Sequence, residues 1–164
     1  MKPTPAGWPR ITPSVYYLDP HAGIDWLCRA FGFEVRLKVE GEGGRLEHAE
    51  LVYGDGLIMI GAVIQSAVGQ AATGQDDRAK EFRQHYASPR ELAGKHTQGL
   101  AVFVDDVDAH HARARAAGAE IFREPSTTDY GTEYWADRTY GARDAEGHVW
   151  WFMQRVRNPG ETLL

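Results

Sequence analysis

The stretch AFGFEV at residues 30–35 returns 86 residues later as AAGAEI at residues 116–121. The same offset carries Asp19 onto Asp105 without a gap. Self-similarity at one fixed offset indicates that the chain contains the same supersecondary unit twice. We therefore expect two modules with a common order of helices and strands.

The first copy has the signals of one helix between strands. Strand composition over Ser14 to Leu18 is followed by Asp19, a good helix cap, and by apolar residues at helical spacing over 21–30. Gly32 is placed to end this helix. The strands predicted after the helix are 34–39, 46–53 and 57–62.

The second copy repeats this pattern. Residues 100–104 form a predicted strand, either Asp105 or Asp106 caps a helix over 107–117, and Gly118 ends it. The strands predicted after this helix are 120–123, 139–144 and 149–154. Each half is therefore predicted to be β-α-β-β-β, which makes the protein an α+β fold.

The repeat divides the chain into four predicted parts. These are a first module over 11–62, a linker or lid over 63–98, a second module over 99–156 and a C-terminal tail over 157–164. The linker is polar, and long loops of this kind are often functional. Whether residues 65–95 close over a ligand or only tether the modules stays open.

Composition excludes several classes of protein. Its 164 residues and 43% hydrophobic content suffice for a core, and one cysteine, Cys28, rules out an intramolecular disulfide. The net charge of -5 disfavours nucleic acid and anionic membranes as partners and favours a cationic or neutral ligand. The N-terminus lacks the apolar core of a signal peptide, so a cytoplasmic location is expected.

Two motifs add a family resemblance. They are Val104-Asp105-Asp106-Val107-Asp108-Ala109 before the second helix and Arg143-Asp144-Ala145-Glu146-Gly147-His148-Val149-Trp150 near the end. With the duplicated module, they resemble the vicinal oxygen chelate superfamily of glyoxalases and bleomycin-resistance proteins, in its PhnB-like group. The resemblance implies curved mixed sheets around a cup and, in many members, a homodimer.

The resemblance also implies where a metal ion would bind. Metal-dependent relatives carry a His, Gln or Glu ligand on the first and last strand of each module, which maps to Pro13, Ile60, Gly99 and Trp151. None of these side chains suits a divalent cation. A shift by one residue gains only Gln98, so no metal and no other cofactor is expected.

Strand alternation then predicts the lining of the cup. If the four mapped positions face it, so do Val15, Tyr17, Ile58, Ala101, Phe103, Val149 and Met153; the less favoured alternative is that these side chains fill a closed core. His48 and Glu50 alternate with an apolar face and are expected to point into the cup, as a hydrogen-bonding pair or a general acid and base, or equally to be solvated residues at a strand edge. Arg143 and Trp135 complete the candidate ligand-binding residues, which are Tyr17, His48, Glu50, Ile60, Phe103, Trp135, Arg143 and Trp151.

Two functions fit these residues. The favoured hypothesis is a metal-free protein that binds a small planar or aromatic metabolite or antibiotic, and the resemblance to bleomycin-resistance proteins implies a role in drug sequestration and resistance. The alternative is a glyoxalase-like lyase or isomerase that uses His48 and Glu50, with or without a rearranged metal site. A homodimer is expected in both cases, with modules that pair within one chain or between chains.

Overall fold

The computed structural model describes residues 1–63 and 84–162. The chain divides into two compact units, Met1–Ala93 and Gly94–Leu164, which we call unit 1 and unit 2. Their boundary falls within the predicted linker of residues 63–98. Most of that predicted lid or tether, residues 64–83, lies outside the described residues.

Unit 1 contains one helix and a four-stranded mixed sheet. Its elements are β1 (Ser14–Tyr17), α1 (Pro20–Phe31), β2 (Glu34–Glu40), β3 (Leu46–Tyr53) and β4 (Gly56–Ala62). The strand order is β1-β4-β3-β2, with β1 parallel to β4 and the other pairs antiparallel. Strand β2 forms one edge of the sheet.

Unit 2 repeats this topology. Its elements are β5 (Leu100–Phe103), α2 (Val107–Ala116), β6 (Glu120–Asp129), β7 (Ala136–Arg143) and β8 (Val149–Arg157). The order is β5-β8-β7-β6, with β5 parallel to β8. Two mixed sheets, each with a helix, confirm the predicted α+β fold of two β-α-β-β-β modules.

Each helix is limited by the residues that the sequence marks. The Asp19 carboxylate accepts the N–H of Ala22 at 3.0 Å, and Gly32, with φ of 81°, ends α1 in the left-handed conformation. In unit 2 the cap is Asp106, whose carboxylate accepts the N–H of Ala109 at 3.0 Å. Gly118 follows α2 with φ of 87°.

Each helix packs on one face of its own sheet and forms a core there. In unit 1 the fully buried side chains of this face include Tyr17, Leu51 and Ile60. In unit 2 the Phe152 ring stacks on Tyr140 at 5.0 Å and meets the His110 ring of α2 at 4.2 Å, tilted by 36°. The opposite side of each sheet, which carries no helix of its unit, is here called the helix-free face.

Three strands of unit 2 are longer than predicted, and β7 begins at Ala136 instead of residue 139. Strand β6 continues from Arg123 through Pro125 to Asp129, with a register shift between Arg123 and Ser126. Proline is tolerated there because β6 is an edge strand, where one N–H need not join the ladder. Strand β8 runs to Arg157, so this residue does not belong to a C-terminal tail.

The helices of the described ranges are short. With 12 residues in α1 and 10 in α2, neither reaches the length that a bilayer crossing requires.

Candidate functional site

The helix-free face of unit 2 carries large aromatic side chains. Phe103 is 55% exposed, Phe122 is 39% exposed and Trp135 is 38% exposed, and Trp151 is half-buried among them. Val102 pairs with Phe152, and these two side chains point to the helix side. Because side chains alternate along a strand, the adjacent Phe103 and Trp151 point to the helix-free face. Apolar rings of this size are usually buried, so several exposed rings on one face are typical of a binding surface.

Gly141 allows the Phe122 ring to lie close to the sheet. A Cβ on Gly141 would come within 2.4 Å of the Phe122 ring. Phe122 in turn meets Trp151 edge to face, with ring centroids 5.2 Å apart. This arrangement is a preferred geometry for aromatic pairs, so the two rings hold each other in position.

Three arginines of the same face lie over the aromatic rings. The Arg155 guanidinium is 5.7 Å from the Phe103 ring centre and 5.1 Å from that of Trp135. Arg123 lies 5.7 Å from the Trp151 ring centre, and Arg143 lies 5.8 Å from that of Phe122. At these distances the cation is attracted by the ring face. We call these four rings and three arginines the aromatic-arginine surface.

The three arginines differ in their other partners. Arg155 forms an ion pair with the buried Asp137. Arg143 is 3.4 Å from the exposed Glu120 carboxylate and donates to the carbonyl oxygens of Gly94 and Gly147. Arg123 has no carboxylate partner within the described residues, so its charge is the least neutralised of the three.

The turn that carries Trp135 is anchored by a buried arginine. Arg157 is 3% exposed, pairs with the Asp129 carboxylate and donates to the Gly131 carbonyl at 2.8 Å. The N–H of Gly131 and Arg157 lower the pKa of Asp129. The strands predicted here end at residue 123 and resume at residue 139, but the longer β6 and β7 leave a six-residue hairpin turn, closed by a hydrogen bond from the Tyr130 N–H to the Trp135 carbonyl.

The helix-free face of unit 1 has a different chemistry. Glu50 of β3 is 4% exposed, and its carboxylate lies 3.1 Å from His48 Nε2 and 3.5 Å from Arg36 Nε. Arg36 also donates to the Gly7 carbonyl at 2.8 Å and lies 5.3 Å from the Trp8 ring centre. Alternation had predicted this orientation of His48 and Glu50, with Ala49 and Leu51 under the helix.

Next to this pair, two tyrosines stack. The Tyr16 ring lies over Gly61, where a Cβ would come within 2.6 Å of it, and the Tyr86 ring stacks on Tyr16 at 4.0 Å. Burial, together with the contact with Tyr86, raises the pKa of Tyr16 to about 12. This phenol therefore stays neutral at physiological pH.

The structure corrects the predicted orientation of strands β1 and β4. Tyr17 and Ile60, with Val15 and Ile58, lie on the helix side, and the Tyr17 ring packs beneath Gly23 of α1. They belong to the core and do not line the helix-free face. The residues of these strands that do face it are Ser14, Tyr16, Met59 and Gly61.

For β1 the error arises from carrying the offset of 86 back across the first helix. Gly32 follows the cap Asp19 by thirteen positions, whereas Gly118 follows the cap Asp106 by twelve. Strand β1 is therefore displaced by one residue against β5, and Tyr16, not Tyr17, corresponds to Phe103. A one-residue slip moves every side chain of a strand to the other face.

The observed strand pairing also changes which residues of this chain correspond to the metal-binding positions of relatives. Met59 pairs with Ser14 as Trp151 pairs with Ala101, so Met59 replaces Ile60 as the equivalent of Trp151. Thioether and indole side chains do not suit a divalent cation in such a site. Within residues 1–63 and 84–162 there is no group of three or more His, Cys, Asp or Glu arranged to hold a metal ion. The residues therefore do not fit the metal of the metal-dependent relatives.

The structure brings Phe103, Trp135, Arg143 and Trp151 of the predicted site together on unit 2, and His48 with Glu50 on unit 1. Sequence reasoning missed Phe122, Arg123 and Arg155 on unit 2 and Arg36 on unit 1. Phe122 and Arg123 lie beside a register shift of β6, which alternation cannot locate. The sequence signal that could have indicated the position of Phe122 is Gly141, because a glycine within a strand often marks close approach of another group.

The chain contains two β-α-β-β-β units, and the strand positions at which metal-dependent relatives bind metal carry no metal ligands. These features define a class of duplicated α+β proteins. The chain belongs to the Glyoxalase/Bleomycin resistance protein/Dioxygenase superfamily, whose family model matches residues 11–152. This confirms the resemblance seen in the sequence.

Individual relatives agree with this assignment. TioX from Micromonospora sp. ML1 is 29% identical, with a TM-score of 0.61 over 89% of this chain and 95% of that chain. A glyoxalase/bleomycin resistance protein/dioxygenase family enzyme from Burkholderia phytofirmans shares the fold at 20% identity and a TM-score of 0.57, over 86% of this chain and 94% of that chain. The uncharacterized protein Mb0911c of Mycobacterium bovis is 29% identical over 91% of this chain and 85% of its own length.

Proposed function

We propose that this protein binds a small planar or aromatic molecule, a metabolite or an antibiotic, on the aromatic-arginine surface of unit 2. The observation that carries the proposal is the set of exposed rings that neighbouring side chains hold in fixed positions. Small-molecule sites are typically aromatic and apolar, with a few polar groups that orient the ligand. Rings that are already ordered lose little side-chain entropy when a flat ligand stacks on them.

The role that suits such binding is sequestration, in which the ligand is held and not changed. No cofactor is part of this proposal, and the protein is proposed to act in the cytoplasm. If the ligand is an antibiotic, tight binding lowers its free concentration and confers resistance. Expression of the protein in a sensitive bacterium would then raise the inhibitory concentration of that compound alone.

The binding test is a fluorescence titration with a panel of planar aromatic compounds, in wild type and in Trp151→Leu. We expect saturable quenching in wild type and about fivefold weaker binding in the variant, since one stacked ring contributes about 1 kcal/mol. Trp26→Leu, on α1 of unit 1, is the matched control that also removes one tryptophan. Equal affinity in all three proteins would contradict the proposal.

A homodimer is part of the proposal. Edge strand β2 exposes Val35, Leu37 and Val39, each more than 40% exposed. Exposed apolar edge strands favour pairing with a further chain. Light scattering is expected to give twice the chain mass of 18.3 kDa, and a value near 18.3 kDa at micromolar concentration would refute the dimer.

A second candidate function is a lyase or isomerase reaction at His48 and Glu50. It is favoured by the burial of the Glu50 carboxylate between His48 and Arg36, an arrangement suited to moving a proton at His48 Nε2 or Glu50 Oε1. The decisive pair of measurements is turnover and binding of the same compound. Loss of turnover with retained binding in His48→Ala would favour the enzyme over the sequestering protein.

Metal analysis bears on both functions. Protein purified without chelators is expected to contain far less than one equivalent of zinc, nickel, manganese or iron, because the strand positions described above carry Met59 and Trp151. A stoichiometric metal would show that other residues ligate it and would favour the enzyme.

A further inference from the structure

The charge of the aromatic-arginine surface differs in sign from that of the whole chain. Among the described residues, its three guanidinium groups face two carboxylates, Asp137 on Arg155 and Glu120 beside Arg143. Glu120 is largely exposed to solvent, so water screens its attraction. The chain as a whole carries a net charge of -5, but a ligand at the rings experiences mainly the groups nearest to it.

Arg123 is the arginine best placed to meet a ligand. It lies over the half-buried Trp151 ring, and within the described residues it has no carboxylate partner. A guanidinium group remains charged at all physiological pH values and presents a planar fork of N–H donors. A carboxylate or sulfonate is the group that such a fork binds in a bidentate manner.

We propose that the ligand is an anionic planar aromatic compound, such as an aromatic carboxylate or sulfonate, whose acidic group pairs with Arg123 while its ring stacks on Trp151 and Phe122. This inference rests on the proposed function and specifies its ligand class. It reverses the expectation, drawn from net charge alone, of a cationic ligand.

The proposal makes ligand charge the variable to test at constant ring size. The probes are naphthalene-2-carboxylate, 2-naphthylmethanol and 2-naphthylmethylammonium, with affinities measured by isothermal titration calorimetry. We expect the carboxylate to bind about tenfold more tightly than the alcohol, and the ammonium to bind most weakly. Added salt is expected to reduce this difference, because ion pairs at half-exposed sites are screened.

Arg123→Gln assigns the charge effect to one residue. It is expected to weaken the carboxylate about tenfold and to change the affinity of the alcohol by less than twofold. Arg45→Gln is the matched control, since it removes the same charge from an exposed arginine in unit 1. It is expected to leave the order of the three probes unchanged.

The possible failures are distinguishable. If all three probes bind through Trp151 but the ammonium equals or exceeds the carboxylate, the anionic ligand class is refuted and the binding function stands. The same holds if Arg123→Gln weakens all three probes equally. If no probe binds wild type, or Trp151→Leu leaves their binding unchanged, the proposed function fails and the ligand class fails with it.

Discussion

The two helix-free faces occupy equivalent sheets and have different chemistry. Unit 1 presents a buried carboxylate with an imidazole and a guanidinium, whereas unit 2 presents rings with guanidinium groups over them. On the helix side the two units are alike, because in both an apolar sheet face packs beneath a helix. Duplication therefore preserved the parts that fold the modules and left the opposite faces free to diverge.

The largest expected effect separates the two faces of the unit 2 sheet. Phe152→Ala removes a fully buried ring from the core of unit 2 and should destabilise the protein by about 3–5 kcal/mol. Phe103→Ala, on the helix-free face of β5, should cost less than about 1 kcal/mol and weaken ligand binding. Urea unfolding of both variants gives the free energies, and similar values would contradict the division of roles.

A smaller effect on stability is expected where the Phe122 ring lies against the backbone of Gly141. Gly141→Ala places a Cβ within 2.4 Å of the Phe122 ring, which must move, at a cost of about 1–3 kcal/mol. Gly61→Ala is the matched control, because its Cβ would come within 2.6 Å of the Tyr16 ring of unit 1, outside the aromatic-arginine surface. We expect weaker aromatic ligand binding in Gly141→Ala alone, and unchanged binding there would show that Phe122 takes no part in it.

The arginines of the two faces provide a third comparison. Arg36→Ala leaves the buried Glu50 carboxylate without its cation and should cost about 1–3 kcal/mol of unfolding free energy. Arg123→Ala removes an arginine that pairs with no carboxylate of the described residues, and should change stability by less than about 0.5 kcal/mol. Equal losses would mean that Arg123 has a structural role, against its assignment to ligand binding.

The smallest effect concerns the anchored turn of unit 2. Contacts with Gly131 and Arg157 lower the pKa of Asp129 in the folded state. The ionised carboxylate therefore stabilises the fold above the ordinary carboxyl pKa of about 3.9. This stabilisation is lost as the pH falls through the lower pKa of the folded state. Asp129→Ala should therefore lower the melting temperature at pH 7, and the gap to wild type should narrow below about pH 4. Glu133→Ala, in the same turn, is the control and should show no such narrowing.

The sequence predicted the modules well because their signals are local. Asp19, Gly32 and Gly118 mark helix ends through side-chain capping and backbone conformation, and both operate within a few residues. The site was harder, because its geometry depends on register. The second helix has one residue fewer between its cap and its glycine, which shifts the correspondence of β1 with β5 by one residue and places Tyr17 in the core. Ile60 of β4 is also one residue out of register with Trp151 and likewise lies in the core.

The close contact of ring and glycine recurs in both units, as Tyr16 on Gly61 and Phe122 on Gly141. In each pair the large side chain requires its partner position to have none. Among homologous proteins these positions should therefore change together. A relative with alanine or a larger residue in place of the glycine should carry a smaller side chain in place of the aromatic one, and such paired exchanges would trace how the helix-free faces diverged.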